Sequence, residues 1–143
     1  MKCEIIIDEN ADKRVVIYTD KRSALTDTIQ KLCADDDVSL IGYGQREGVL
    51  LDMAKVNCFV VESDKVYALT TDGKYQLKGR LYQIEEMLSD NFIRINQSCI
   101  ANIKMIKRFD ASISGQLTVY FQNGYRDFVS RRNIKKIKQK FNI

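Results

Sequence analysis

Histidine and proline are both absent from this chain, and glycine occurs only seven times. Without histidine the usual general base is missing, which excludes Ser/His and Cys/His nucleophilic mechanisms. Without proline, turns must be marked by glycine and by Asx/Ser clusters. No apolar run approaches the roughly 20 residues needed to cross a bilayer. The N-terminal stretch MKCEIIIDEN carries acids where a signal peptide needs an apolar segment. A cytoplasmic protein is therefore expected. The four cysteines, Cys3, Cys33, Cys58 and Cys99, include no CxxC pair. They are expected to be reduced and mostly buried thiols, with no metal bound. Phosphate-cradling glycine loops and paired-carboxylate motifs are missing too. The expectation is of a non-enzymatic protein with no cofactor and no small-molecule substrate.

What is present is an ordinary globular composition over 143 residues, 45% apolar and 29% charged. That suits one domain, or one domain with a small appendage. The net charge of +4 hides a segregation: from Arg94 onward eleven Lys and Arg stand against Asp110 and Asp127 alone, while residues 1–93 carry twelve bases and seventeen acids. The extreme case is SRRNIKKIKQKF, Ser130 to Phe141, with six basic residues and no acid. A segregated basic end suggests an anionic partner, nucleic acid or anionic lipid, but a solvated lysine face has the same composition.

Periodicity divides the chain. Cys3–Ile7 and Arg14–Thr19 are β-branched runs that predict two strands. Leu25, Ile29, Leu32 and Cys33 lie at helical spacing behind the cap candidates Thr19, Asp20 and Ser23. This predicts a β-β-α appendage over residues 1–37, bounded by Asp35-Asp36-Asp37. Short strands follow at 38–44, 48–53, 57–63, 65–71 and 74–79, with hairpin turns at Ser63-Asp64 and Asp72-Gly73; the second is a strong type I′ signal. Leu81, Ile84, Met87 and Leu88 predict a short helix ended by Ser89-Asp90-Asn91. Strands are predicted again at 92–96, 103–109, 116–122 and 125–129, with Asn123-Gly124 as a tight turn. In the strand from Ile103, residues alternate so that one face is apolar and the other mostly basic. A last helix carries Ile134, Ile137 and Phe141 on one side and lysines around the rest. Ser130 is its expected N-cap. Arg131 and Arg132 in its first turn oppose the helix dipole, a placement easier to understand with an anion there.

The segments FIRINQSCIANIKMIKRF and LTVYFQNGYRDFVSRRNIKKIKQKF carry a resemblance to the second half of a LytTR DNA-binding domain. Phe92, Arg94, Asn96, Ser98, Asn102, Ile103, Ile106, Gly124, Val129, Ser130, Arg131 and Arg132 stand where that family's pattern expects them. The similarity runs from about Leu40 to Phe141 and includes VYALTTDGKYQLKGRLYQIEEML as the family's central hairpin and helix. It implies a mainly β fold (α+β overall), an elongated LytTR-type domain over residues 38–143 with short helices. It also implies a sequence-specific transcriptional regulator that places loop side chains in successive major grooves of double-stranded DNA. Only about 37 residues precede the domain, too few for a receiver, so the chain is similar to stand-alone members of the family. For such a protein the resemblance implies a homodimer on repeated sites and makes a membrane-protein inhibitor a candidate partner. The appendage would be the surface for either. The alternative from another class is an interaction module tethered to a membrane partner, its basic tail on anionic lipid or another polyanion.

Carried over residue by residue, the base-contacting positions fall on Arg132, on Asn96 and Gln97, and on Lys65 or Asp64 in the loop between the central strands. Of the last two, Lys65 is expected to touch DNA and Asp64 to shape the turn. Phosphate contacts are expected from Arg131, Asn133, Ser98, Asn102, Lys104, Lys107, Arg108, Lys135 and Lys136. Two positions depart from the family: members often carry His or Arg in the 63–65 loop and His at 96. Local turn hydrogen bonding is an alternative role for Asn96, Gln97, Ser98 and Asn102. For Lys104, Lys107 and Arg108 the alternative is a solvated face. The tyrosines at 43, 67, 75 and 120 are expected in packing and not in base stacking.

Overall fold

A computed structural model of the chain describes residues 3–11, 14–34 and 39–143. The chain divides into two compact units, Met1–Asp36 and Asp37–Ile143. The acidic triplet expected to mark the boundary lies outside the described residues.

Among its described residues the first unit holds one helix, α1 (Ala24–Ala34). Its start is fixed by a reciprocal pair: the Ser23 backbone N–H donates to Thr26 Oγ1 at 2.9 Å and the Thr26 N–H to Ser23 Oγ at 3.3 Å. Asp27 in the first turn suits the helix dipole and pairs with Arg22 at 2.9 Å. The two runs expected as strands, Cys3–Ile7 and Arg14–Thr19, form none. Their composition favours extended backbone, but a strand also needs a hydrogen-bonding neighbour, and among the described residues neither run has one.

In the second unit β1 (Ile41–Tyr43) and β2 (Gly48–Leu50) precede the long pair β3 (Val56–Glu62) and β4 (Lys65–Thr70). Then come β5 (Lys74–Leu77), α2 (Leu81–Met87), β6 (Phe92–Asn96) and β7 (Cys99–Asn102). The chain ends with β8 (Ile106–Ala111), β9 (Leu117–Phe121), β10 (Arg126–Val129) and α3 (Arg131–Phe141). The strands make a seven-stranded sheet, β2-β1-β5-β4-β3-β7-β6, and a three-stranded sheet, β10-β9-β8, with every pairing antiparallel.

The central strands of the large sheet are buried on both faces, which is why β3 reads as a nearly unbroken apolar run. Alternation sorts its side chains. Cys58 and Val60 join Cys99, Ile93, Ile95, Val119, Phe121 and Ile137 in a core beneath the small sheet and α3. Phe59 and Ile100 face the other way, into a second core with Leu77, Leu81 and Ile84 under α2.

Three local expectations are corrected. The two-residue turn with positive φ at both positions is Ser63-Asp64 (φ 48° and 63°), whereas at Asp72-Gly73 only the glycine is positive, at 146°. There Thr70 decides the shape: its hydroxyl donates to Gly73 O at 2.9 Å and accepts from Asp72 N at 3.1 Å, closing a wider loop. Cys99–Asn102 is a strand that the pattern did not announce, because all four of its residues are buried and show no alternation. Finally, Ile103–Met105 is a 3₁₀ turn and the strand starts only at Ile106. Asn102 Oδ1 accepts from Lys104 N at 3.1 Å and bends the chain there, which breaks the expected apolar/basic alternation. A matching turn at Met53–Lys55 is capped by Asp52, whose Oδ1 accepts from Ala54 N at 3.1 Å, and it leads likewise into β3.

Candidate nucleic-acid interface

Three loops named from the sequence meet at one end of the strands. The β6–β7 turn, Gln97-Ser98, lies between the other two and is bonded to the chain on both sides. Ser98 O accepts from Val61 N at 2.9 Å, where β3 runs toward the Ser63-Asp64 turn. Ile95 O accepts from Ser130 N at 2.8 Å, where β10 passes into α3. The hairpin tip carrying Lys65, the turn carrying Gln97, and the helix start carrying Arg131 and Arg132 are thus held by backbone hydrogen bonds on rigid strands.

Five cations on these elements are unpaired. Lys65, Gln97, Arg131, Arg132, Lys135 and Lys136 are all exposed, and among the described residues none of these five cations forms an ion pair; Lys136 lies further along α3, beside Asp90 and Phe92 at the start of β6. Helix α3 has no acid in its first turn. Ser130 occupies the N-cap position but makes no side-chain cap; its Oγ instead accepts from Asn133 Nδ2 at 2.8 Å. Asn133 is thereby engaged inside the helix start. Lys135 and Lys136 sit four residues after Arg131 and Arg132, so each extends the corresponding arginine's face by one turn.

Asn96 is placed differently from the groove-facing expectation. It is 4% exposed, and all three hydrogen bonds of its amide lie within the fold. Its Nδ2 donates to Asp127 Oδ1 at 3.0 Å and to Phe128 O at 2.8 Å, while its Oδ1 accepts from Ser98 N at 2.7 Å. The side chain ties β6 to β10 and shapes the turn that presents Gln97. Asn102 is 3% exposed and equally engaged, donating to Val56 O at 2.8 Å. Both asparagines are occupied with local structure.

The junction around Asn96 has its own electrostatics. Asp127 Oδ1 also accepts from its neighbour Phe128 N at 2.8 Å, and Oδ2 accepts from the Tyr125 hydroxyl at 3.1 Å. Burial, then the Asp127 charge, push the Tyr125 phenol well above its ordinary pKa. Cys99 lies beside the same carboxylate. A hydrogen bond with Cys58, followed by burial, raises its thiol as well. Cys58 and Cys99 are buried, whereas Cys3 and Cys33 are exposed, so burial holds for two of the four thiols.

Sequence reasoning singled out Arg94 only as part of a pattern, and its role emerges from the fold. Its Nε donates to Asn96 O at 3.0 Å and its Nη2 to Gln97 O at 2.8 Å, while Nη1 pairs with Glu85 of α2 at 3.0 Å. One planar guanidinium grips two successive carbonyls of the turn, a geometry a lysine does not reproduce.

The remaining basic positions are not at this end. Lys104 follows the far end of β7, about 10 Å or more of strand away from Gln97. Arg108 pairs with Asp110 at 3.6 Å and stacks on Tyr120, 3.7 Å from the ring centroid. Lys107 is exposed beside it. Tyr67 and Tyr43 are likewise covered by Lys74 and Lys78.

Comparison with known proteins gives this geometry a context. The LytTr DNA-binding domain family matches residues 46–142. Uncharacterized HTH-type transcriptional regulators of Staphylococcus aureus are similar along their whole length. Those of strains NCTC 8325 and MSSA476 are 31% and 30% identical over 146 residues, covering 100% of this chain and 99% of each relative. The solved LytTr DNA-binding domain of a methyl-accepting/DNA response regulator from Bacillus cereus has the same fold. It superposes with a TM-score of 0.70 at 20% identity, covering 75% of this chain and 100% of that one.

Proposed function

The chain belongs to the LytTr DNA-binding domain family and is a DNA-binding transcriptional regulator, and on that premise we propose that it reads DNA with the three loops gathered at one end of its strands. Gln97, Arg132 and Lys65 enter major grooves and contact base edges, and Asp64 holds the tip of its hairpin in shape. Arg131, Ser98, Lys135 and Lys136 hold phosphates between them. Arg132 suits guanine, which offers two acceptors to a planar fork, and Gln97 suits adenine. The observation that carries this reading is the pair of backbone bonds, Val61 N to Ser98 O and Ser130 N to Ile95 O, that fixes the three loops side by side.

A helix-turn-helix reading finds no support in the element order, since among the described residues no two helices are consecutive. Reading from loops on a sheet scaffold is the arrangement left. Two copies would occupy repeated sites, and a DNA partner implies action in the cytoplasm.

The test begins with selection of sites from a random duplex pool by the full chain. Fluorescence anisotropy then compares the selected duplex with a scrambled one at low and near-physiological salt. Binding that survives the higher salt only on the selected duplex is expected. Arg132→Ala is expected to weaken specific binding by about 1–3 kcal/mol and to flatten preference at one base position. Equal losses on selected and scrambled DNA would show that Arg132 meets phosphate only.

A further inference from the structure

The unit Met1–Asp36 is about as apolar as the whole chain, yet its described residues bury almost none of that surface. Of its described side chains only Thr26 and Ile29 are even half-buried, and none of them is fully buried. Ile5, Ile6 and Ile7 are 79–92% exposed, Tyr18 is 94% exposed, and Val15, Val16 and Leu25 are open as well. A unit of this size has no staple here: its cysteines, Cys3 and Cys33, are unpaired. Segments below ~40 residues ordinarily need a disulfide, a metal or a partner to hold a fold.

Alternation along Arg14–Asp20 separates two faces. Val15, Ile17 and Thr19 line a groove of about 330 Å³ closed on the other side by Arg22, Thr26, Ile29 and Cys33 of the α1 region. Arg14, Val16, Tyr18 and Asp20 do not line that groove, and all four are exposed. Among the described residues the segment's backbone likewise has no ladder partner.

We infer that Met1–Asp36 is a dimerisation unit in which the segment Arg14–Asp20 pairs antiparallel with the same segment of a second copy, centred on Ile17. The sequence is complementary to itself in that register. About a twofold axis at Ile17, Arg14 of one copy stands opposite Asp20 of the other and Val16 opposite Tyr18. These are an ion pair and a β-branched/aromatic pair, each made twice, and both kinds stabilise antiparallel neighbours. Ile5–Ile7 supplies further surface to cover. A stable interface buries roughly 800 Å² per partner, and Ile5, Ile6, Ile7, Val16, Tyr18 and Leu25 are exposed apolar residues from which to draw it. Residues 1–36 carry eight acids and six bases, a net charge of −2, so self-association meets only weak net repulsion. The same balance gives the unit no attraction for a polyanion or an anionic membrane. This inference draws on the proposed function only for the idea of two copies on repeated sites, and it names what joins them.

The experiment is sedimentation velocity of the full chain without DNA, under reducing conditions, over a dilution series. A reversible dimer is expected. Val16→Asp sets a carboxylate against the ring of the partner copy's Tyr18 and is expected to weaken the dimer by about 30-fold or more, the loss typical of a residue central to an interface. Arg14→Asp is also expected to weaken it, and adding Asp20→Arg is expected to restore it, which a misfolded variant would not permit. A chain that stays monomeric throughout, a Val16→Asp protein that dimerises like the parent, or a charge swap without rescue would each overturn the inference. Anisotropy on a single selected half-site, where Val16→Asp is expected to match the parent, tests the DNA-reading proposal separately.

Discussion

Replacing Asn96 by alanine separates a structural role from a base-reading one. The amide makes three hydrogen bonds at 2.7–3.0 Å, one of them to the Asp127 carboxylate. Bonds to a charged partner contribute about 1.5–3 kcal/mol and neutral ones about 1 kcal/mol. Ser98 N–H lies at the surface, where water replaces the lost acceptor at little cost. Phe128 O and Asp127 Oδ1 lose a donor inside the junction, although the carboxylate keeps its bonds from Phe128 N and Tyr125. The expected loss is therefore about 3 kcal/mol, a large part of the roughly 5–15 kcal/mol that holds a typical domain together. In urea, followed by far-UV circular dichroism at neutral pH, it should lower the midpoint by roughly 2 M at an m-value near 1.5 kcal/mol/M. Asn96→Asp should do worse, since it sets a second carboxylate about 3.0 Å from Asp127. A midpoint shift below about 0.5 M, together with lost discrimination between selected and scrambled DNA, would refute the structural assignment and return Asn96 to the groove.

Other outcomes follow from neighbouring contacts. Arg94→Lys keeps the charge but loses the double grip on Asn96 O and Gln97 O; it is expected to weaken specific binding about tenfold while leaving scrambled-DNA binding nearly unchanged, as anisotropy would read. Tyr125 and Cys99 both have folded pKa values above their ordinary ones, so each ionises more readily in the unfolded chain. The stability they contribute is full below the unfolded pKa values, about 8.5 for the thiol and about 10 for the phenol, and is lost as pH rises through the folded ones. Unfolding free energy measured in urea should hold steady to about pH 8.5 and then fall; Tyr125→Phe should remove part of the decline above about pH 10. Gly42→Ala is expected to destabilise the protein by about 2 kcal/mol in thermal unfolding, because the new methyl carbon would sit 2.6 Å from Tyr75 Cβ and 2.8 Å from Leu51 Cδ2.

Much of this protein is legible in its amino-acid order. The basic helix α3, with Ile134, Ile137 and Phe141 on its packed side, follows from spacing alone. So do most strands, because alternation and turn residues are local properties that each segment carries with it. Gln97 and Arg132 were nameable from a motif and lie exposed at the gathered loops. Asn96 belongs to the same motif, yet no local signal distinguishes an asparagine that faces a groove from one that faces inward. That distinction depends on Asp127 and Phe128, some thirty residues away. The buried strand Cys99–Asn102 has no local signature for a related reason: a strand covered on both faces has no alternation to read. The guanidinium of Arg94, the meeting of three loops, and the failure of Cys3–Ile7 and Arg14–Thr19 to become strands were all decided by tertiary structure. Composition states what a segment can become, whereas hydrogen-bond partners brought together from distant parts of the chain determine what it does become.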